Sequence, residues 1–351
     1  MDSQKTNQQI KQSDEGQPLM QLKNINMVFK KQGSLLVDRN IHVLKNINLD
    51  IYKGEIVALV GESGCGKTTL GKIITGLHHP TSGSVYLEGQ NVSGMFSKKI
   101  SAYNKVQFIQ QDSYAALNPV RTIYQSLYAP IKTKNRKWNT AKIDAKIEEL
   151  MSIIGLQPSE QFLSKYPHQL SGGQRQRILM ARAISLEPKL IVADEPVSMI
   201  DVSLRLSLLN LMKDLNKQFN MSFVYISHDL STTRYIAQNG RVCVMYLGEI
   251  VETGKIGEVV MNPRHPYTRA LIQAVPILDP NYRTDDNLPL KSMQLGNLEN
   301  RIDGCAFIDR CLYSCDKCLH KVELVDTSTS QVLCNNLEKV PSGSVFDLIK
   351  K

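Results

Sequence analysis

The sequence predicts an α/β layered protein with a sheet core, a helical subdomain inserted between its strands and a small cysteine-containing C-terminal extension. Three observations carry this expectation. Short apolar runs alternate with helix-like segments through the first 260 residues, the pattern of a layered sheet with crossover helices. One run, "EIVALVG" (55–61), passes directly into a glycine-rich loop and a helical segment. The region 120–187 has helical character and no strand-like run, so it reads as an insertion.

Taken in order, the first eighteen residues are polar with no apolar centre and are expected to be a disordered lead-in; they lack the apolar region of a signal peptide. Residues 19–262 form the expected catalytic domain. "EIVALVG" is a continuous apolar run closed by glycine, as a buried parallel strand requires. "VQFIQ" (106–110), "KLIVAD" (189–194), "SFVYIS" (222–227) and "RVCVMYL" (241–247) are further short strands. Helices are expected at 67–77, about 120–132, 140–155, 172–187 and 202–219. After 262 "NPRHPY" breaks the pattern, a short helix is expected at 267–274 and a loop at 276–300, within an extension running to 351.

Composition bounds the function. The 351 residues are 42% hydrophobic, ample for a core, and carry a net charge of +9, which suits nucleic acid, anionic lipid or an acidic ligand such as a nucleotide. No basic run is dense enough to choose among them. No apolar stretch reaches the roughly 18 residues of a membrane span, so a soluble, cytoplasmic chain is expected. There thiols stay reduced, which favours ligand or redox roles over disulfides for clustered cysteines.

The motifs choose the nucleotide. "GESGCGKTT" (61–69) fits the phosphate-loop pattern and sits between a predicted strand and helix. Gly61, Gly64 and Gly66 let the backbone curl so that N–H groups face phosphate oxygens, and Glu62, Ser63, Cys65 and Thr69 complete the cradle. Lys67 reaches the β- and γ-phosphates, and Thr68 offers its hydroxyl to Mg²⁺. "KLIVADEP" ends a buried strand in two acids: Asp194 for the Mg²⁺ shell and Glu195 as general base toward water. "LSGGQRQR" (170–177) starts a helix with Ser171, Gly172, Gly173 and Gln174, a second anion-binding terminus. One nucleotide does not need two such cradles from one chain, whereas two chains facing head to tail would use both.

At this point the chain resembles the ATP-binding subunits of ABC transporters over about residues 19–335. The fold implied is a P-loop NTPase of ABC type with a mixed sheet core. The resemblance assigns Gln111 in "FIQQD" to Mg²⁺, water and signalling toward a membrane partner. It assigns His228 in "ISHD" to the γ-phosphate, and Asp201 to the D-loop "SMID". Phe29 in "NINMVFK" sits where the family stacks an aromatic on adenine, with Val43 on the next strand beside the base. "QDSYAALNP" (111–119), "KYPHQLSGGQRQR" (165–177) and "NPRHPYTRALIQAVP" (262–276) are similar to the oligopeptide and dipeptide importer branch, most of all to its second ATPase subunit. Nickel importers share these motifs. The resemblance implies a second ABC ATPase subunit as heterodimer partner, two transmembrane permease subunits and, indirectly, an extracytoplasmic binding protein. The place implied is the cytoplasmic side of the cell membrane, peripherally bound. Nucleic acid is not an expected partner; a soluble ABC ATPase acting on ribosomes or DNA is the rival, disfavoured by the single cassette. The segment "VRTIYQSLYAPI" (120–131) reads either as a face docking on the membrane subunits or as an ordinary amphipathic helix.

Five of the seven cysteines crowd the tail. "GCAFIDRCLYSCDKC" (304–318) matches the branch's GC-x5-RC element. Cys305, Cys311, Cys318 and Cys334 are the expected ligands of a [4Fe–4S] cluster or, alternatively, Zn²⁺. Cys315 is the spare by spacing, although Cys315-x2-Cys318 is a common ligand pair; the remaining alternative is free thiols in a folded tail. Cys65 and Cys243 are not expected to bind metal. The tail lies outside every nucleotide motif and is expected to take no part in hydrolysis.

Overall fold

The computed structural model describes residues 16–31, 39–93, 105–275, 289–294, 296–298 and 303–344. Most of the expected lead-in and of the 276–300 loop therefore lies outside the described residues. The remainder builds two sheets. A four-stranded antiparallel sheet has the order β2-β1-β4-β5, with β1 Met20–Lys31, β2 Arg39–Ile51, β4 Ser82–Leu87 and β5 Gln90–Asn91. An eight-stranded mixed sheet has the order β11-β12-β10-β9-β3-β8-β7-β6.

The centre of the large sheet is parallel. β3 Ile56–Val60 pairs with β8 Ser222–Ser227 on one side and β9 Arg241–Tyr246 on the other; β7 Leu190–Asp194 pairs with β8 and with β6 Val106–Ile109. Every residue of β3, β7 and β8 is buried, the expected state of strands covered on both faces. The far edge is antiparallel. β10 Glu249–Lys255 folds back on β9 through the positive-φ pair Leu247 and Gly248. The C-terminal strands β11 Leu324–Asp326 and β12 Ser330–Leu333 then add to β10, so the tail completes the sheet.

The helices start and stop where local chemistry dictates. α1 Lys67–Ile74 follows the phosphate loop directly. Between β6 and β7 lie α2 Ser113–Ala116, α3 Ile123–Lys134, α4 Thr140–Ile153, α5 Glu160–Leu163 and α6 Gly172–Ile184. α3 begins later than the sequence suggests because Thr122 and Gln125 form a capping box. α4 stops where Gly155 turns to φ 68. α3 turns Ile123, Leu127 and Ile131 fully inward, so its apolar stripe packs within the domain and leaves Val120 exposed ahead of it. Of the two expectations for 120–131, the ordinary amphipathic helix describes this stripe. α7 Val202–Phe219, α8 Leu230–Ile236, α9 Ile256–Met261 and α10 Pro266–Gln273 are the remaining α-helices among the described residues.

A buried carboxylate ties the tail to the core. Glu252 on β10 is 0% exposed and accepts from the backbone N–H of Arg264 (2.9 Å) and His265 (2.8 Å) and from Ser330 Oγ on β12 (2.9 Å). Burial pushes its carboxyl above the usual range, against the pull of these donors. His265 caps α10, its Nδ1 accepting from the Tyr267 N–H at 3.1 Å, and burial pushes its pKa down to about 3.

The sign of the pH dependence follows. The unfolded chain protonates His265 near its ordinary value of 6.5, whereas the folded chain resists down to about 3. The stability held by the neutral ring is complete above pH 6.5 and is lost progressively as pH falls toward 3. Between pH 6.5 and 5 the native chain is expected to lose about 2 kcal/mol that a His265→Asn variant does not lose. Parallel losses in thermal melts of the two proteins would assign the acid sensitivity to other groups.

Candidate functional site

Parallel strands end together, and the site forms at that edge. The loop after β3 opens α1, whose first turn carries no acidic residue and whose N-terminus has no side-chain cap, so its N–H groups are available to an anion. Gly66 sits at φ 105 against Val43 and Leu44, where a Cβ would stand 2.9 Å from the Val43 carbonyl. Gly61 approaches the Met245 carbonyl so closely that a Cβ would lie 2.1 Å away. Both glycines are therefore required by space as well as by backbone angle. Lys67 is buried, and its ammonium donates to the carbonyls of Gly61 (2.7 Å) and Glu62 (2.8 Å), spanning the loop it is meant to complete.

A cleft of about 500 Å³ opens over this loop. It is lined by Val43, Ser63, Gly64, Gly66, Lys67, Thr68, Thr69, Gln111, Glu195, His228 and Leu298. Asp194 lies behind them, 5% exposed at the tip of β7. Burial pushes its carboxyl up, a hydrogen bond with the Thr68 hydroxyl pulls it down, and the charge of Glu195 adds to the rise. This set of hard oxygen donors suits Mg²⁺.

Glu195 is the centre of the arrangement. Its backbone takes φ 45, uncommon for a residue with a side chain, and is pinned there by its N–H to the Ile226 carbonyl and its own carbonyl to Ser198 Oγ, both 2.9 Å. One carboxylate oxygen accepts from Gln111 Nε2 at 3.0 Å; the other lies 2.9 Å from His228 Nδ1. The three residues expected to act on water and the γ-phosphate thus form one hydrogen-bonded chain from three separate strand ends.

The second cradle is elsewhere. None of Ser171, Gly172, Gly173 or Gln174 lines the cleft. Ser171 and Gln174 form a capping box at the start of α6: Ser171 Oγ accepts the Gln174 N–H at 3.3 Å, and Gln174 Oε1 accepts the Ser171 N–H at 3.0 Å. A Cβ on Gly172 would stand 3.1 Å from the Met199 carbonyl, so this motif packs on the segment 198–201 of its own chain. Asp201 precedes α7 with no side-chain cap bond. Phe29 on β1 is 37% exposed and meets His78 edge-on at 6.0 Å; the cleft is lined by Val43 but not by Phe29.

The seven cysteines are all free thiols. In the tail the Cys305 N–H donates to the Cys318 carbonyl at 2.8 Å, and Cys315 Sγ lies 3.9 Å from Cys318 Sγ. Cys315, the spare by spacing, thus lies with its thiol beside that of Cys318. Among the described residues no group of three or more His, Cys, Asp or Glu is placed to hold a metal ion, so the expected set Cys305, Cys311, Cys318 and Cys334 is not assembled as a ligand sphere. Burial instead pushes the thiols up, Cys305 to about 12 and Cys311 to about 11, which keeps them protonated.

The structure adds residues that motif reading missed. The Glu62 N–H donates to Tyr267 Oη at 2.8 Å, both Glu62 carboxylate oxygens lie 2.9 Å from Arg310 Nη1, and Leu298 lines the cleft. The tail is distant from the nucleotide motifs in sequence but touches the phosphate loop in space. The available signals were the tyrosine of "HPY" and the basic residue directly before Cys311. A further cavity of about 340 Å³, lined by residues such as Lys53, Leu150, Ile184 and Phe219, includes none of the candidate site residues.

Comparison with known proteins agrees with this geometry. Residues 44–198 match the family described as ABC transporter, and residues 251–318 match the C-terminal region of oligopeptide/dipeptide transporters. The chain is 40% identical to the putative oligopeptide transport ATP-binding protein YkfD of Bacillus subtilis over 86% of its length and 89% of the relative's. It is 40% identical to the dipeptide transport ATP-binding protein DppF of Haemophilus influenzae, over 82% and 86%. With the oligopeptide transport ATP-binding protein OppF of Escherichia coli it shares 40% identity over 80% and 83%. Among solved structures, the dimeric post-hydrolysis state of the ATP-binding cassette MJ0796 bound to ADP and Pi matches with TM-score 0.60 and 30% identity, covering 68% of this chain and 98% of that one.

Because Glu195 is the shared partner of Gln111 and His228, Glu195→Gln is expected to lower ATP turnover by at least about a hundredfold while leaving ATP-dependent closure of the dimer intact. Steady-state hydrolysis and nucleotide-dependent dimerisation check the two halves separately; undiminished turnover would remove Glu195 from the base role.

Proposed function

The chain belongs to the ATP-binding subunits of oligopeptide and dipeptide ABC transporters, and from that membership we propose how it works. It is an ATPase that energises peptide transport. The observation that carries the mechanism is the Gln111–Glu195–His228 chain poised over Lys67 and Thr68.

In this reading the triphosphate enters the 61–69 cradle and Lys67 exchanges the Gly61 and Glu62 carbonyls for phosphate oxygens. Thr68, Asp194 and Gln111 would hold Mg²⁺, which would supply positive charge against the phosphates. Glu195 accepts a proton from the attacking water, His228 orients the γ-phosphate, and Gln111, bonded to Glu195, carries the state of the site toward the helical region 120–187. Val43, which lines the cleft, borders the base, and Phe29, exposed on the adjacent strand outside the lining, would stack on it. The motif beginning at Ser171 serves a neighbouring cassette, which its absence from the lining of this chain's own cleft supports. The neighbour is a different ATPase subunit. Two permease subunits receive the motion, and an extracytoplasmic binding protein delivers the peptide. No helix of the described residues is long and apolar enough to cross a membrane, in keeping with a peripheral place on the cytoplasmic face.

The peptide cargo is supported by the C-terminal region match together with the peptide transport names of the relatives. Deletion of the gene is expected to abolish uptake of defined oligopeptides and dipeptides and to spare nickel uptake. The reverse pattern would reassign the cargo to nickel.

The tail thiols are a separate proposal and enter no step above. The sequence spacing of Cys305, Cys311, Cys318 and Cys334 is what supports a [4Fe–4S] cluster or zinc, which those side chains would hold only after rearrangement. Anaerobically purified protein is expected to contain iron with labile sulfide. Zinc in its place identifies the other filling, and neither element means that the tail folds on thiols alone.

A further inference from the structure

An acid inside an anion-binding loop needs an explanation. Glu62 is the second residue of the phosphate cradle, and a free carboxylate there would repel the polyphosphate the loop must hold. The structure removes that conflict with the tail. Both Glu62 oxygens lie 2.9 Å from Arg310 Nη1, in a pair whose arginine side chain is 8% exposed. The guanidinium is seated against the rings of Tyr246 (5.7 Å) and Phe307 (5.6 Å). Those rings pack on each other at 5.1 Å and on Tyr267, and Tyr267 accepts the Glu62 N–H. Main chain and side chain of Glu62 are therefore both held by residues beyond 245.

The tail holds Arg310 just as firmly. Its N–H donates to the Phe307 carbonyl, its own carbonyl accepts from Lys291 N at 2.9 Å, and the next residue is buried Cys311. A glycine-rich loop free in solution samples many shapes, and ordering it on each binding event weakens affinity. A loop already pinned at its second residue binds without that loss.

We propose that Arg310 is a positioning residue for the phosphate loop, acting through Glu62, so that the cysteine tail is part of the ATP-binding machinery. The inference rests on the ATPase reading and deepens it. Arg310 touches no nucleotide atom; it keeps the Glu62 charge neutralised and turned into the protein while Tyr267 fixes the adjoining peptide.

The test is a double-mutant cycle in the full-length chain, read as the Kd for Mg-ATP in a Glu195→Gln background that stops hydrolysis. Arg310→Ala is expected to weaken ATP binding roughly tenfold to a hundredfold, the size of one charge-assisted hydrogen bond, because it leaves Glu62 charged beside the phosphates. In a chain already carrying Glu62→Ala, the same Arg310→Ala change is expected to shift Kd less than about twofold, since its target is gone. Arg310→Lys should recover much of the loss. An arginine needed only for tail folding would cost the same in both backgrounds, and equal costs, or no change in Kd at all, overturn the proposal. Should Arg310→Ala fail to fold, Arg310→Gln and Glu62→Gln remove the charges while keeping most of the side-chain volume and give the same cycle. Failure of the parent chain to bind ATP would count against the ATPase reading instead, before the cycle begins.

Discussion

The parallel register of β7, β8 and β3 is the constraint on which the site depends. Val60 stands opposite Ser227, and Asp194 opposite Ile226, so three strands end within a residue or two of each other. Whatever follows those ends is placed side by side: the phosphate loop after β3, Glu195 after β7, His228 after β8. Ligands of open parallel sheets collect at this edge for that reason. The Glu195–His228 contact is thus a product of strand pairing, and it tolerates no slip: a one-residue shift would turn every side chain of the moved strand to the opposite face.

A second, smaller node extends the frame to the C-terminus. Glu252 is a fully buried carboxylate, a costly group unless its oxygens are satisfied. Its donors come from the start of α10 and from β12, segments more than sixty residues apart. Satisfying one acid therefore fixes two otherwise loose pieces of chain. The same turn that donates to Glu252 begins "HPY", with His265 as cap, Pro266 in the first turn, and Tyr267 aimed at the phosphate loop. The tail and the nucleotide edge share one hydrogen-bonded support.

How much of this was legible depended on the range of the interaction. Strands buried on both faces read as unbroken apolar runs, and "SFVYIS" and the helix 202–219 match the structure to the residue. The antiparallel strands β1 and β2 were glimpsed only around Phe29 and Val43, because register shifts near Ile25 and Met27 break the alternation that marks a half-buried strand. The motif residues were legible because their chemistry is local. Arg310 and Glu62 lie 248 positions apart, and neither shows its partner in sequence. The tail cysteines were read by spacing, yet the close sulfur pair is Cys315 with Cys318, because the turn at 315–319 brings them together whatever the longer spacings suggest.

The capping box at Ser171 bears on how two such chains would cooperate. In the single chain the Ser171 hydroxyl already accepts one N–H of its own helix at the long distance of 3.3 Å, a weak bond by geometry. A hydroxyl both donates and accepts, so that bond leaves its proton free for a phosphate oxygen from a facing chain. Gly172 and Gly173 add backbone N–H groups at a helix start with no acidic residue in its first turn. The motif is therefore already in shape before a partner arrives, and closure would need little reordering of it. Lys67 presents the opposite case. It must leave the two carbonyls it holds, Gly61 and Glu62, before it can serve phosphate. Glu62 is also held by Tyr267 and Arg310, so under the proposed exchange the peptide released by Lys67 would remain tied on its other side.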